Sequence, residues 1–331
     1  MNGDWLYFTE PPPQWAAVCQ ARRSLFHTAA WQELLQNAFG AAPLFAMRPA
    51  GDEDATTFAL TVFPAGPFRL GYIGFPAGGA AGFQPLSAAM VNSLAISRFP
   101  RTIHLLKIVS SPFPEMLSLP YAYAETWETM IPDLREWREE TLPANVRRNL
   151  RKARKNKVQI RQAEKSEAPA IFHLYRETVQ RHGGMARYGL AYFSQLLELS
   201  QEVAGLPVWL ALVNDEIAAF LAAAREGATV FYLHGAVNRH LQQFRPGDLL
   251  FYTAICWARD EGAREFNMMA SPLSQLSLVR YKEKWGGVTA VQRTYTLPLQ
   301  PLPAAGFRLA AALLERWWKW KSKLSGAAQR S

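Results

Sequence analysis

The chain has 331 residues, a formal charge of +9, 49% hydrophobic residues, two cysteines and 22 prolines. Half of it is apolar, which supplies full cores and excludes a disordered chain, and its length suggests roughly two domains. No apolar run approaches the ~18 residues of a membrane span, and the MNGDWLYFTEPPP start lacks the features of a signal peptide. Cys19 and Cys256 are far apart among core-type residues, which argues against a disulfide scaffold or a zinc site. The expectation is a soluble, cytoplasmic protein without a metal.

Period and punctuation predict the elements in order. Trp5–Thr9 reads as a strand and Pro12–Arg22 as a helix, followed by a helix Thr28–Phe39 with Thr28 as N-cap and Gly40 beyond its end. Strands are expected at Leu44–Arg48, Thr57–Phe63, Phe68–Phe75, Thr102–Val109 and Tyr121–Met130, with a helix over Pro85–Arg98. Asp133–Glu140 and Pro143–Asn156 read as helical, and Val158–Gln162 as extended. Helices at Ser166–Arg181 and Leu190–Val203 then precede strands at Val208–Val213, Glu216–Arg225 and Thr229–Val237. A helix Gly247–Glu261, a strand Glu265–Met269, a helix Leu276–Lys284 and a strand Ala290–Leu297 complete the series. The second half repeats the order of the first, which implies a tandem duplication of one α/β unit, with its boundary between Asp133 and Asn156.

The positive charge is concentrated. Arg147, Arg148, Arg151, Lys152, Arg154, Lys155, Lys157 and Arg161 occur without an acid among them, and Arg308–Ser331 holds six basic residues against Glu315. Together these segments exceed the charge of the whole chain, so the remainder is net negative. Such segments favour phosphate, nucleic acid or anionic lipid; the alternative is a solvated helix face.

Several motifs converge in the second half. They are Arg147-x-Asn149 with Ala153-Arg154-Lys155, Tyr175-x-x-Thr178-x-x-Arg181-x-Gly183 with Arg187 and Tyr192-Phe193, and Tyr232-x-x-Gly235. Pro246-x-x-Leu249 opens the next helix, and Tyr281-Lys282-x-x-Trp285-Gly286 closes the set. This pattern resembles the GCN5-related N-acetyltransferase (GNAT) superfamily, in particular the Fem-type peptidoglycan aminoacyltransferases. The resemblance implies a mixed α/β fold of two tandem GNAT-like domains, a degenerate one over 1–140 and a catalytic one over 141–300; beyond it, helical spacing of apolar residues predicts a basic aromatic C-terminal helix within 301–331. It also implies transfer of an acyl or aminoacyl group from an activated ester or thioester to an amine of a cell-envelope or exopolysaccharide precursor.

The resemblance places Lys282 beside the reacting ester, where a lysine charge would stabilise the oxyanion. His234 is a candidate for taking the amine proton. Arg181, Arg187, Tyr175, Tyr232, Tyr281 and Trp285 become candidate substrate contacts, and Arg147, Arg148, Arg151, Arg245 and Gly247 candidate contacts to donor phosphate. In Gln242–Leu249 only Gly247 remains of the glycines of a standard coenzyme A loop, Pro246 lacks an N–H, and Asp248 adds negative charge. Asp248, Asp260 and Glu261 otherwise read as helix-surface residues.

No tightly bound cofactor is expected; the donor is left open among aminoacyl-tRNA, acyl-CoA and a carrier-protein thioester. The partners implied are a phosphorylated or lipid-linked acceptor, tRNA, and an anionic membrane at its inner face through the amphipathic segment 304–324. An acetyl-CoA-dependent exopolysaccharide acetyltransferase and a non-catalytic polyanion-binding module remain alternative readings.

Overall fold

The computed structural model describes residues 5–48, 56–76, 91, 102–113, 118–182, 184 and 186–310. The first half contains β1 (Leu6–Phe8), α1 (Trp15–Arg22), α2 (Ala29–Phe39), β2 (Ala42–Arg48), β3 (Thr56–Ala65), β4 (Phe68–Ile73), β5 (Leu105–Ser110) and β6 (Ala122–Ile131). The second contains α3 (Ala144–Lys155), β7 (Gln159–Gln162), α4 (Ala168–Arg181), α5 (Leu190–Glu202), β8 (Val208–Val213), β9 (Glu216–Glu226) and β10 (Thr229–Val237). It ends with α6 (Pro246–Asp260), β11 (Glu265–Ser271), α7 (Leu276–Glu283) and β12 (Val288–Pro298). The helix expected at Pro85–Arg98 lies outside the described residues apart from Val91.

Local chemistry explains these bounds. The Thr28 side chain accepts the Trp31 N–H at 3.2 Å to start α2, and Gly40 at φ +64° ends it. Trp31, Leu34 and Leu35 share one helical face and are buried. The expected helix at Asp133–Glu140 does not form. The Asp133 carboxylate accepts the Arg135 backbone N–H and its guanidinium, a local bond that competes with helix, and only Glu139–Thr141 makes a short 3-10 turn.

The strands form one twelve-stranded mixed sheet ordered β1-β2-β3-β4-β5-β12-β6-β11-β10-β9-β8-β7. The order is a palindrome of two repeats. In each, the first four strands pair antiparallel in sequence order, and the fourth pairs parallel with the fifth (β4 with β5, β10 with β11). The last strands are exchanged: β6 pairs with β11 of the second repeat, β12 with β5 of the first, and the two pair with each other at the centre. The boundary read from the sequence therefore does not separate two sheets. Pairing crosses it at the sheet's middle.

Helices cover both faces. Phe26, Trp31 and Leu35 around α2 pack with Phe193 and Leu197 of α5 and with Phe220 and Phe231 of the sheet, in one apolar layer that joins the repeats. On the other face α3 and α6 cover β8–β11 through Leu150, Phe251 and Ile255. The start of the C-terminal segment, helical over 301–310, lies on the first repeat: Ala304 is buried with Leu70 and Leu105, and the Phe307 and Phe68 rings meet at 5.5 Å. Trp317, Trp318 and Trp320, and with them most of the membrane-facing segment expected at 304–324, lie outside the described residues.

A single carboxylate also ties the repeats. Glu226, at the end of β9, accepts the Ser24 hydroxyl and the backbone N–H groups of Leu25 and Phe26 at 2.5, 2.7 and 2.9 Å, and meets His27 Nδ1 at 3.2 Å. Removing it would leave several buried donors unpaired. Glu226→Ala should lower stability by about 3 kcal/mol, read from urea denaturation. A change under ~0.5 kcal/mol, the scale of an ordinary surface substitution, would show that packing alone holds this loop.

Candidate active site

β10 and β11 pair only through Thr229–Phe231 with Glu265–Asn267, and β10 then continues to Val237 without β11 beside it. The corresponding pair β4–β5 stays in register to Ile73, where β4 ends. The difference comes from two bulges, between Tyr232 and His234 on β10 and between Asn267 and Ala270 on β11. A bulge bends its strand and breaks the ladder, so the second repeat opens a wedge at the strand ends.

At the β11 bulge Met269 has φ +62°, which is costly for a residue with a side chain. Polar bonds from two side chains hold it. Asn267 Oδ1 accepts the Met269 N–H at 2.8 Å, and Lys282 Nζ donates to the Met269 carbonyl and to Ser271 Oγ, both at 2.8 Å, and to the Ala270 carbonyl at 3.4 Å. Lys282, on α7, is only 4% exposed. Burial pushes its ammonium down to about 7, and the negative charge of Glu128 opposes that shift.

Glu128 on β6 completes the cluster. It is buried and accepts from the Asn267 amide at 2.5 Å and the Gln292 amide at 2.8 Å. Burial raises its pKa, partly offset by these amides, by Ser111 and by Lys282. The motif singles out Lys282 but neither Glu128 nor Asn267. The available signal was that Asn267 interrupts the apolar run of β11, and that Glu128 stands in a strand that ends in Thr-Met-Ile.

Tyr232, Tyr281, Trp285 and Gly247 gather on the same face around the start of α6. Phe251 meets Tyr232, Tyr281 and Trp285 in tilted or edge-on contacts at ring separations of 5.3, 5.9 and 5.0 Å. The Tyr232 ring folds back over Gly235, where a Cβ would lie 2.2 Å from its hydroxyl, and a Cβ on Gly247 would lie 2.8 Å from Val237. Asp248 is a correction. It is buried rather than on the helix surface, and it accepts from Asn149 at 3.2 Å and Tyr281 at 3.4 Å. Its carboxylate is bound within the packing of α3, α6 and α7, so it does not stand as a free charge at the phosphate loop. Arg245, at φ +63°, remains exposed just before α6.

His234 lies on the opposite face, because the β10 bulge reverses the alternation after Tyr232. Its Nε2 and the Tyr192 hydroxyl share a 2.8 Å hydrogen bond, and its ring packs among Tyr175, Tyr188 and Phe193. Burial pushes it down to about 3, which makes it a poor proton acceptor near neutral pH. The geometry places it where it packs β10 on α4 and α5. Tyr175 joins it there, its hydroxyl accepting the Arg187 backbone N–H at 3.1 Å. Arg181 and Arg187 are exposed at the end of α4 and in the segment that follows; Gly183 lies outside the described residues.

The basic segment also needs a correction, since two of its eight cations are neutralised. Arg154 pairs with Glu139 through two bonds, at 2.8 and 2.7 Å, and Arg161 pairs with Glu167 in the same way. Arg147, Arg148 and Arg151 are exposed on α3, whose Val146, Leu150 and Ala153 face the core. Asn149 reaches Asp248 from this helix, so the cationic face flanks the start of α6. Among the described residues, no three His, Cys, Asp or Glu side chains are grouped to hold a metal, and no helix is long and apolar enough to cross a membrane.

Residues 142–283 match the family described as acetyltransferase (GNAT) domain. This stretch is a GNAT-type acyltransferase domain. FemX is similar in structure, with a TM-score of 0.63 at 16% identity over 90% of this chain and 98% of FemX. L-PGS from Bacillus licheniformis gives 0.52 at 13% identity over 92% and 96%. A tandem GNAT protein from the clavulanic acid biosynthesis pathway gives 0.51 at 11% identity over 90% and 99%. These likenesses establish a tandem GNAT fold. No curated protein matches the sequence.

The buried lysine of this GNAT domain has a pH signature. Its pKa is depressed relative to the unfolded chain, so between about pH 7 and the ordinary lysine value the unfolded state binds more protons. Wild-type stability should therefore gain on Lys282→Met as pH rises, by about 2 kcal/mol between pH 7 and 9. Urea unfolding of both proteins at the two pH values measures this. A constant or shrinking difference would mean that Lys282 keeps an ordinary basicity.

Proposed function

We propose that this protein transfers an acyl or aminoacyl group from an activated ester or thioester to an amine of a phosphorylated or lipid-linked envelope precursor, at the opening between β10 and β11. The observation that carries the reading is the wedge itself, with Lys282 held at the β11 bulge. In the reaction the amine nitrogen forms a bond to the carbonyl carbon, the C–O or C–S bond breaks, and the amine's proton leaves with the alcohol or thiol. Lys282 supplies positive charge where the oxyanion develops, and the substrate oxygen replaces the Ala270 carbonyl, its longest contact. The exposed Arg147, Arg148 and Arg151 attract the phosphates of the donor or acceptor, with Arg181 and Arg187 as further cations. A lysyl-phosphatidylglycerol synthase among the structural neighbours is in keeping with an aminoacyl donor and a lipid-linked acceptor.

A second reading, acetyl-CoA-dependent acetylation of an exopolysaccharide sugar, is favoured by the engagement of Asp248 with Asn149 and Tyr281. That engagement lifts one objection to a coenzyme A phosphate at the start of α6. Labelled acetyl-CoA, longer acyl-CoA and aminoacyl-tRNA, each tested for transfer to amine acceptors with mass spectrometry of the product, distinguish the two. Donor binding should weaken steeply with salt, and replacing Arg147, Arg148 and Arg151 together by Ala should reduce the slope of log affinity against log salt by about 3. Transfer from none of these donors, nor from an acyl carrier-protein thioester tested in the same way, would remove the enzymatic reading, and an unchanged slope would remove α3 from the site.

A further inference from the structure

Lys282 is oriented by groups that come from both repeats. Its Nζ is fixed by the carbonyls of residues 269 and 270 and by Ser271 Oγ, so its position depends on the shape of the β11 bulge. That shape depends on Asn267, whose Oδ1 accepts the Met269 N–H while the left-handed Met269 turns its carbonyl toward the ammonium. A free amide side chain can present either end. Here the choice is made by Glu128, because a carboxylate buried at the same place accepts only, and so takes the NH2 end at 2.5 Å. Gln292 donates to the other Glu128 oxygen at 2.8 Å, leaving the carboxylate little freedom to turn.

Glu128 belongs to β6, the strand that the first repeat contributes between β12 and β11. It lies opposite Ala290 of β12 and Ala270 of β11, next to the bulge itself. We propose that Glu128 is a positioning residue for Lys282, acting through Asn267 and the Met269 bulge, so that the first repeat sets the geometry of the lysine in the second. Two independent links support this: the hydrogen-bond chain Glu128–Asn267–Met269–Lys282, and the charge of Glu128, which favours the ammonium form.

The other groups around the lysine do not serve this purpose. Ser271 and Gln292 are uncharged. Asp248, on α6, is bonded to Asn149 and Tyr281, and Tyr281 on α7 points its hydroxyl to Asp248. Glu125, on β6, is paired with Arg293 of β12 at 3.1 Å. Among the described residues, Glu128 is the carboxylate that acts on the Lys282 charge.

The importance of this relay for transfer rests on the reading of Lys282 as the lysine at the reacting carbonyl, but the relay itself can be measured without any substrate. The full-length protein, with 13C at the lysine Cε and glutamate Cδ and 15N in the backbone, is titrated by NMR from pH 5 to 10. In the wild type, the Glu128 carboxyl and Met269 amide signals should move with the Lys282 Cε signal at one shared midpoint. Glu128→Gln should lower the Lys282 midpoint by at least half a pH unit and shift the Met269 amide signal. Asn267→Ala, which keeps the carboxylate, should also shift the Lys282 Cε signal.

Independent titration of Glu128, Met269 and Lys282 in the wild type would overturn the proposal, and this readout needs no folded variant. A wild-type Lys282 midpoint in Glu128→Gln would overturn it as well. Should donor transfer fail while the shared midpoint and both shifts are found, the acyltransfer reading falls and the relay stands. Transfer without the shared midpoint does the opposite: the relay falls and the acyltransfer reading stands.

Discussion

The pairing of β6 with β12 is the constraint from which the rest of the architecture follows. Each is the last strand of its repeat, and each also pairs with the fifth strand of the other repeat. Neither repeat can complete its sheet alone, since withdrawing either strand would expose two ladders of unpaired backbone groups. The exchange sets the register between the halves and brings Glu128 beneath α7. The Glu226 contacts to residues 24–27 and the shared α2–α5 core reinforce the same junction from one face.

The two repeats share a plan and differ at one physical point. Where β4 stays paired with β5 to its end, β10 parts from β11 after three residue pairs. Parting leaves backbone groups without ladder partners, and the molecule satisfies several of them with side chains: Asn267 takes the Met269 N–H, and Lys282 takes the Met269 and Ala270 carbonyls. The lysine at the centre of the proposed chemistry is therefore also a structural group. Its low exposure and its depressed pKa have one cause, since it replaces strand-to-strand bonding inside the wedge.

The distribution of charge divides along similar lines. Cations that pair with carboxylates, Arg154 and Arg161, fasten α3 and β7 to neighbouring segments and offer little to a ligand. Arg147, Arg148 and Arg151 face outward beside the start of α6, where helix-terminal N–H groups already favour an anion. Long-range attraction by this face and short-range stabilisation by Lys282 are separate contributions. The first is screened by salt and the second, being buried, much less so.

Most of the fold was legible in the sequence because its signals are local. Thr28 and Gly40 bracket α2 with a cap and a left-handed turn, Pro246 opens α6, and the apolar periods of α5 and β8–β10 follow from which face is buried. The repeated order of elements revealed the duplication, and the Tyr281-Lys282-x-x-Trp285-Gly286 motif singled out the lysine. Asp133–Glu140 departs from its helical pattern because Asp133 accepts the backbone N–H two residues on, a choice that helical propensity does not record. Glu128 and Asn267 were invisible as a pair: they lie on strands 139 residues apart, and only sheet pairing brings them together. Strand alternation alone would put His234 and Tyr232 on one face; the bulge between them turns one away. Sequence periodicity determines which segments are strands and helices. Which strand lies beside which, and where a ladder breaks, is decided by non-local hydrogen bonding, and that is where this protein's buried lysine is held.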